Sequence, residues 1–301
     1  MAAEESRVPP DDVVALRDAG PADEPTRTLR VCSWNIKKLG HGTATDYAAV
    51  TRVLEDNCDF SAVLEVMQRQ GAHPGYEQLV QQLGAAWAGA VTPTPRPNTS
   101  SSNSEFYAFV WRHALVGPCA GWTELRFAAD NDGGAQGTGA DNFAREPAYM
   151  CFEATAPSGE RGADFVIAAY HATWSNGHTP TIAAEVAHLP AVFQEMAAAV
   201  PGEADLLVVG DFNLRPADLA AAGAFNDRTA GSGSTLNSSG AITANLYDHF
   251  VTIDPSSMSE MGGAADVLDV RSVAASPSEF YRTVSDHLPI AAAVDVTRDD
   301  D

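Results

Sequence analysis

Short apolar runs, each ending on a polar residue, alternate with segments whose apolar positions recur at helical spacing. This alternation restricts the chain to a layered α/β arrangement. Residues 29–34 read as a strand, 47–57 as a helix and 60–64 as a second strand, giving a β-α-β opening. Asn35 follows the first strand and Glu65 the second; His171 follows the strand at 164–170, and Asp211 and Asn213 follow the apolar strand at 205–209. A strand fixes the position of the residue at its C-terminal end and lets the side chain emerge into a crevice. One such residue could be a cap or a turn, but five at equivalent places point to an assembled site.

Further strands are expected at residues 106–112, 115–122, 148–154, 246–253 and 288–294, with a long amphipathic helix over 181–199 and a Gly/Ser loop over 231–240. No internal period appears, which excludes a solenoid or propeller. Mixed βα units and antiparallel strands in one chain predict two packed sheets with helices outside. Residues 1–27 read as a disordered acidic leader, 28–296 as a single domain and 297–301 as an acidic tail.

The chain has 301 residues and a net charge of -22, from 40 acidic against 18 basic residues, of which the lysines are Lys37 and Lys38. Such a surface reads first as a solvated face that keeps the protein dispersed, and second as an adaptation to high salt, which screens carboxylate repulsion. No apolar stretch approaches the roughly 18 residues needed to span a bilayer, so a soluble globular protein without membrane contact is expected. The leader's apolar run at 13–16 is too short for a signal h-region. The sequence alone therefore points to the cytoplasm by default, or to export if a leader has been trimmed. Cys32, Cys58, Cys119 and Cys151 form no CxxC pair, which argues against zinc. Four scattered cysteines in a chain this long are expected to be buried thiols, although Cys119 and Cys151 fall in segments read as strands and could pair in an oxidising compartment.

Carboxylates and amide oxygens at the strand ends, without thiolates, make a hard-oxygen site suited to Mg²⁺ or Mn²⁺. Histidines that do not ligate the metal are then free for proton transfer near neutral pH. Together these suit water attacking a phosphodiester.

In chain order, Ser33-Trp34-Asn35-Ile36, Leu64-Glu65-Val66, Tyr170-His171, Gly210-Asp211-Phe212-Asn213 and Ser285-Asp286-His287-Leu288-Pro289 resemble the signature blocks of the endonuclease/exonuclease/phosphatase superfamily. Glu105-Phe106-Tyr107-Ala108-Phe109, Phe143-Ala144-Arg145-Glu146-Pro147 and Leu246-Tyr247-Asp248 further resemble its deoxyribonuclease I branch. The resemblance implies a four-layer sandwich of two packed mixed β-sheets with helices on the outside. It implies Glu65 as a metal ligand with Asn35 beside it, Asp286 completing the acidic cluster, and Asp211 and Asn213 positioning the attacking water and the phosphate. Glu105 with His171 and Asp248 with His287 would supply general acid and base, each carboxylate fixing its imidazole's tautomer. Arg145 would contact phosphate. The acidic loop from Asp130 to Glu146 lies where that branch holds a structural Ca²⁺, which makes Asp132, Asp141 and Glu146 candidate calcium ligands.

Three features depart from the branch: Leu64 before the metal glutamate, Met67 two residues after it, and Ser100-Ser101-Ser102-Asn103 in a loop that elsewhere grips the minor groove. The expected activity is a monomeric, metal-dependent endonuclease that cuts DNA with little sequence preference. The rivals are a phosphomonoesterase or lipid or inositol phosphodiesterase on the same scaffold, and a non-catalytic binding module. The last would need site residues to be lost, and none is missing.

Overall fold

The computed structural model describes residues 27–41, 45–97, 104–130, 142–155 and 161–297. The expected leader (apart from Arg27) and all but Thr297 of the tail lie outside the described residues, as do residues 100–103 and most of the candidate calcium loop, including Asp132 and Asp141.

Among the described residues, two mixed sheets pack face to face. The first has eight strands: β1 (Thr28–Leu39), β2 (Phe60–Met67), β3 (Trp87–Val91), β4 (Arg96–Pro97), β5 (Ser104–Arg112), β12 (Thr229–Ala230), β14 (Ala265–Val267) and β15 (Ile290–Asp295). They run in the order β12-β14-β15-β1-β2-β5-β3, with β4 also on β5. The second has seven: β6 (Val116–Pro118), β7 (Arg126–Phe127), β8 (Ala148–Thr155), β9 (Arg161–His171), β10 (Leu206–Asp211), β11 (Asn226–Asp227) and β13 (Asp248–Thr252). Their order is β11-β13-β10-β9-β8-β6, with β7 also on β8. Helices α1 (Tyr47–Asn57), α2 (Pro74–Leu83) and α6 (Pro277–Thr283) cover the first sheet; α3 (Thr179–Val186), α4 (Leu189–Ala199) and α5 (Pro216–Ala222) cover the second. No described helix is long and apolar enough to cross a membrane.

Strand alternation explains the layering. Leu29 and Val31 of β1, Tyr107, Phe109 and Trp111 of β5, Phe165 and Ile167 of β9, and Leu207 and Val209 of β10 fill the core between the sheets. The intervening Cys32, Trp34, Phe106, Val110, Val166 and Val208 pack outward against helices. On the same inward parity, one end of the sandwich turns polar: Asn35, Glu105, His171, Asp211 and Asp248 continue the inner rows of their strands. Hydrophobic burial thus aligns the rows that end on the site.

Two expectations are corrected here. The helix expected over 181–199 is broken into α3 and α4, because Pro190 lacks the N–H a continuous helix would use and instead starts α4 in its first turn. The cysteines are not thiols: Cys32 is bonded to Cys58 and Cys119 to Cys151. The first bridge joins β1 to the C-terminal cap of α1 and the second joins the residue after β6 to β8, over separations of 26 and 32 positions that sequence spacing alone does not reveal. Closing loops of this size stabilises a fold by about 3–4 kcal/mol per bridge in the chain-entropy account. The double variant Cys119→Ala/Cys151→Ala should therefore melt on the order of 5–10 °C lower by calorimetry. Four titratable thiols in the unreduced, denatured protein would show that neither bridge forms.

Candidate active site

Asp211 is the hub of the polar end. It closes β10, where it pairs in register with His171 of the parallel neighbour β9 and with Asp248 of the antiparallel neighbour β13. Its Oδ1 accepts the backbone N–H of Asn213 at 3.0 Å, which fixes the carboxylate's orientation. Its Oδ2 accepts from Asn35 Nδ2 at 3.1 Å and lies 3.6 Å from His171 Nε2 and 3.5 Å from His287 Nε2. Each imidazole is held from behind: His171 Nδ1 is 3.0 Å from Glu105 Oε1, and His287 Nδ1 is 2.8 Å from Asp248 Oδ2. The two expected His–carboxylate pairs are therefore both present, and their free Nε2 atoms converge on one oxygen.

Burial alone would lower both histidines' pKa values, but the facing carboxylates win. His287 is raised well above the usual imidazole range by Asp248 and Asp211, and His171 is raised by Glu105 and Asp211 against a further opposing push from Arg145. Burial raises the Asp248 carboxyl, with His287 opposing; Glu105, although buried, is held below the usual range by Arg145 and His171.

The local backbone is bent to present these groups. Glu65 has a left-handed φ of 57° at a bulge where the β2–β5 register shifts between Val63 and Val66. Before it, Phe60, Ala62 and Leu64 face the inner core; after it, Val66 packs outward, so the bulge reverses strand parity and re-aims Glu65. Glu65 Oε1 accepts from Asn35 Nδ2 at 3.2 Å and Oε2 from the Lys38 backbone N–H at 2.9 Å. Asn213 is also left-handed, at φ 51°, and its Nδ2 donates to the Ala172 carbonyl at 3.0 Å. Gly210 is required by close approach: a Cβ there would lie 1.9 Å from the Tyr170 carbonyl oxygen.

The chemistry of these donors fits a hard divalent cation. Asn35 Oδ1 is buried and meets no donor, and it belongs to the same side chain that touches Glu65 and Asp211. Ligand atoms of Glu65, Glu105 and His171 lie within 4.8 Å of one another. Asp286 is not in that group: it is partly exposed, with Oδ2 3.6 Å from Lys37 Nζ. Cys119, Cys151 and Asp164 also cluster, but sulfurs joined in a disulfide are not ligands.

Arg145 departs from its expected phosphate contact. Its side chain is 2% exposed and lies beneath the site, with Nε 2.8 Å from Glu105 Oε1 and donating to the His171 carbonyl at 2.8 Å, and Nη2 donating to the Ala172 carbonyl at 2.6 Å. A buried carboxylate and two buried carbonyls supply acceptors that solvent cannot, so the cation turns inward and anchors Glu105. Of the calcium candidates, Glu146 pairs with Arg96 at 2.8 Å.

Several supporting residues were given no role in the sequence reading. Buried Glu185 accepts from the Tyr170 hydroxyl at 2.8 Å and the Thr173 N–H at 3.1 Å; the Tyr107 hydroxyl accepts the His171 N–H at 3.2 Å. Ser234 Oγ accepts the N–H groups of Tyr247 and Asp248. Ser285, which the Ser285-Asp286-His287 block could have flagged, donates to the Asn35 carbonyl at 2.6 Å and accepts the His287 N–H at 2.9 Å. His249 is fully buried between Asp227 Oδ2 at 2.9 Å and the Leu214 carbonyl at 2.8 Å. Burial alone would lower the His249 pKa, but Asp227 and the Leu214 carbonyl outweigh it, and the ring ties the segment after Asn213 to β13.

An endonuclease/exonuclease/phosphatase family protein from Bacteroides thetaiotaomicron superposes on this chain with a TM-score of 0.62 and 15% identity, over 90% of this chain and 96% of that one. The chain has the endonuclease/exonuclease/phosphatase fold. The structure titled D. rerio TDP2 complexed with single strand DNA product shares this fold at a TM-score of 0.51 and 14% identity, over 88% of this chain and 98% of that one. A protein named Deoxyribonuclease from Thioalkalivibrio sp. (strain K90mix) is 32% identical over 207 residues, 68% of this chain. The chain spans half the length of that relative (50%). No family model matches the sequence.

Proposed function

We propose that the protein is a Mg²⁺-dependent endonuclease that hydrolyses DNA phosphodiesters with little sequence preference. The convergence of two carboxylate-held imidazoles on Asp211 Oδ2, beside Asn35 and Glu65, carries this reading. Asn35 and Glu65 would hold the cation, which neutralises charge on the phosphoryl oxygens. Asp211 orients the attacking water and accepts its proton as the new P–O bond forms. An imidazole Nε2–H donates a proton to the leaving oxygen as the old P–O bond breaks, while the other steadies a phosphoryl oxygen. Glu105 and Asp248 keep the Nδ1 side of each ring engaged so that Nε2 faces the reaction. The sequence relative named Deoxyribonuclease, and the fold neighbour whose structure is titled as a complex with single strand DNA product, support DNA as substrate.

The deciding measurement is conversion of supercoiled plasmid to nicked circles with Mg²⁺, with and without chelator. Release of inorganic phosphate from monoesters without nicking would instead place the protein among phosphomonoesterases, the reading that the -22 charge favours.

Salt provides a further test. A protein that neutralises about 6–10 phosphates loses roughly 10³–10⁵ in affinity between 50 and 200 mM salt. With 18 basic residues against 40 acidic, and Arg145 turned inward, few contacts of that kind are available here. Added salt also screens repulsion between the acidic surface and DNA. The initial nicking rate at fixed Mg²⁺ should persist or rise as NaCl goes from about 50 mM to above roughly 0.15 M. A steep monotonic loss would reveal a basic DNA-binding groove.

A further inference from the structure

Trp174 is the most exposed large apolar residue described, at 44%, and it stands three residues beyond His171. Its ring lies 6.2 Å from that of Tyr247, tilted by 56°, and Tyr247 immediately precedes Asp248. Strands β9 and β13 flank β10 on either side, so the two rings bridge the same sheet edge at which His171, Asp211 and Asp248 stand in register. The main chain there is fixed: the Tyr247 carbonyl accepts the Phe212 N–H at 2.8 Å, within the Asp211–Asn213 segment.

The segment carrying Trp174 is built to hold the indole outward. Ser175, Asn176 and Gly177 are successively left-handed, at φ 41°, 52° and 73°, two of them in a conformation that costs a side-chain-bearing residue energy. A turn closes from Gly177 N–H to the Trp174 carbonyl at 2.7 Å. A Cβ at Gly177 would sit 3.4 Å from Trp174 Cζ2 and Cη2, so the glycine backs the ring. Arg215, whose side chain is 60% exposed and pairs with Asp218 at 3.3 Å, is near enough for its charge to act on the Tyr247 hydroxyl. An exposed indole beside the candidate centre matches the flat face of a nucleobase, with the Arg215–Asp218 pair near Tyr247.

We propose that Trp174, seated against Tyr247, is a stacking platform for an unpaired nucleobase next to the scissile phosphate. This makes strands with accessible bases the preferred form of the substrate. The proposal rests on the nuclease reading above. Bases in a duplex present only their edges, so a ring face can stack only on single strands, frayed ends or flipped bases. Every base has a π-face, so the platform would not select sequence.

The test compares a short oligothymidylate with an abasic phosphodiester oligomer of equal length, by fluorescence anisotropy in chelator and by cleavage in Mg²⁺. Base–aromatic stacking corresponds to roughly 5- to 150-fold per base, so wild type should favour the base-bearing strand by at least that margin in both assays. Trp174→Ala should lose the preference while matching wild type on the abasic oligomer and in melting temperature; Trp174→Phe should keep most of it. Equal treatment of the two oligomers by wild type, including failure to bind either, overturns the proposal, as does an unchanged preference in Trp174→Ala. Base-dependent binding without cleavage of any DNA would sustain the platform and reject the nuclease assignment.

Discussion

Asp211→Asn should lower the initial rate of plasmid nicking by at least about a hundredfold, while the melting temperature stays near that of wild type. The substitution keeps the side chain's shape, and its Oδ1 role towards the Asn213 N–H can be preserved. What it removes is the charge at the oxygen where Asn35, His171 and His287 meet. A neutral amide there can no longer accept a proton from water, and its own donor would oppose the Asn35 amide or an imidazole N–H. Glu65→Ala and His287→Ala should fall by similar factors, and because the groups act as one unit the losses should not add. Near-normal nicking by Asp211→Asn would strip Asp211 of its central role and leave a mechanism run by the imidazoles alone.

Arg145→Met should destabilise the protein by about 3–5 kcal/mol, because it leaves the Glu105 carboxylate buried without its cation. Nε and Nη2 also donate to the carbonyls of residues 171 and 172 respectively, which lose their donors as well. The expected fall in melting temperature is on the order of 10 °C. Pairing the change with Glu105→Gln removes the stranded charge and should restore part of the stability, but not the activity, since His171 loses its carboxylate. If Arg145 instead reached substrate phosphate, the single variant would keep its melting temperature and lose DNA affinity. Calorimetry and nicking assays on the single and double variants separate these outcomes.

The layered architecture and the site's location were legible in the chain because both are written locally. The short apolar runs Leu29–Val31, Phe60–Leu64 and Phe165–Tyr170 mark buried strands, and the polar residue that follows each run marks the edge where a site can form. The signature blocks supplied the pairing of Glu105 with His171 and Asp248 with His287, which geometry places at 3.0 and 2.8 Å. Local periodicity said less where a single residue overrides it, as Pro190 does in dividing α3 from α4.

What the sequence by itself determined about this protein was the fold class, the edge of the sandwich where the candidate site lies, and the oxygen and imidazole character of that edge. Those properties follow from residue type and period, which neighbours along the chain suffice to define. Tertiary structure alone decided that Cys32 meets Cys58 and Cys119 meets Cys151, that Glu65 is turned by a bulge, that Arg145 faces inward, and that Trp174 stands against Tyr247. Each of these depends on which groups far apart in sequence arrive at one place. The direction of a buried cation or an exposed ring is set by whichever acceptors and surfaces the packed sheets bring within about 3–6 Å of it.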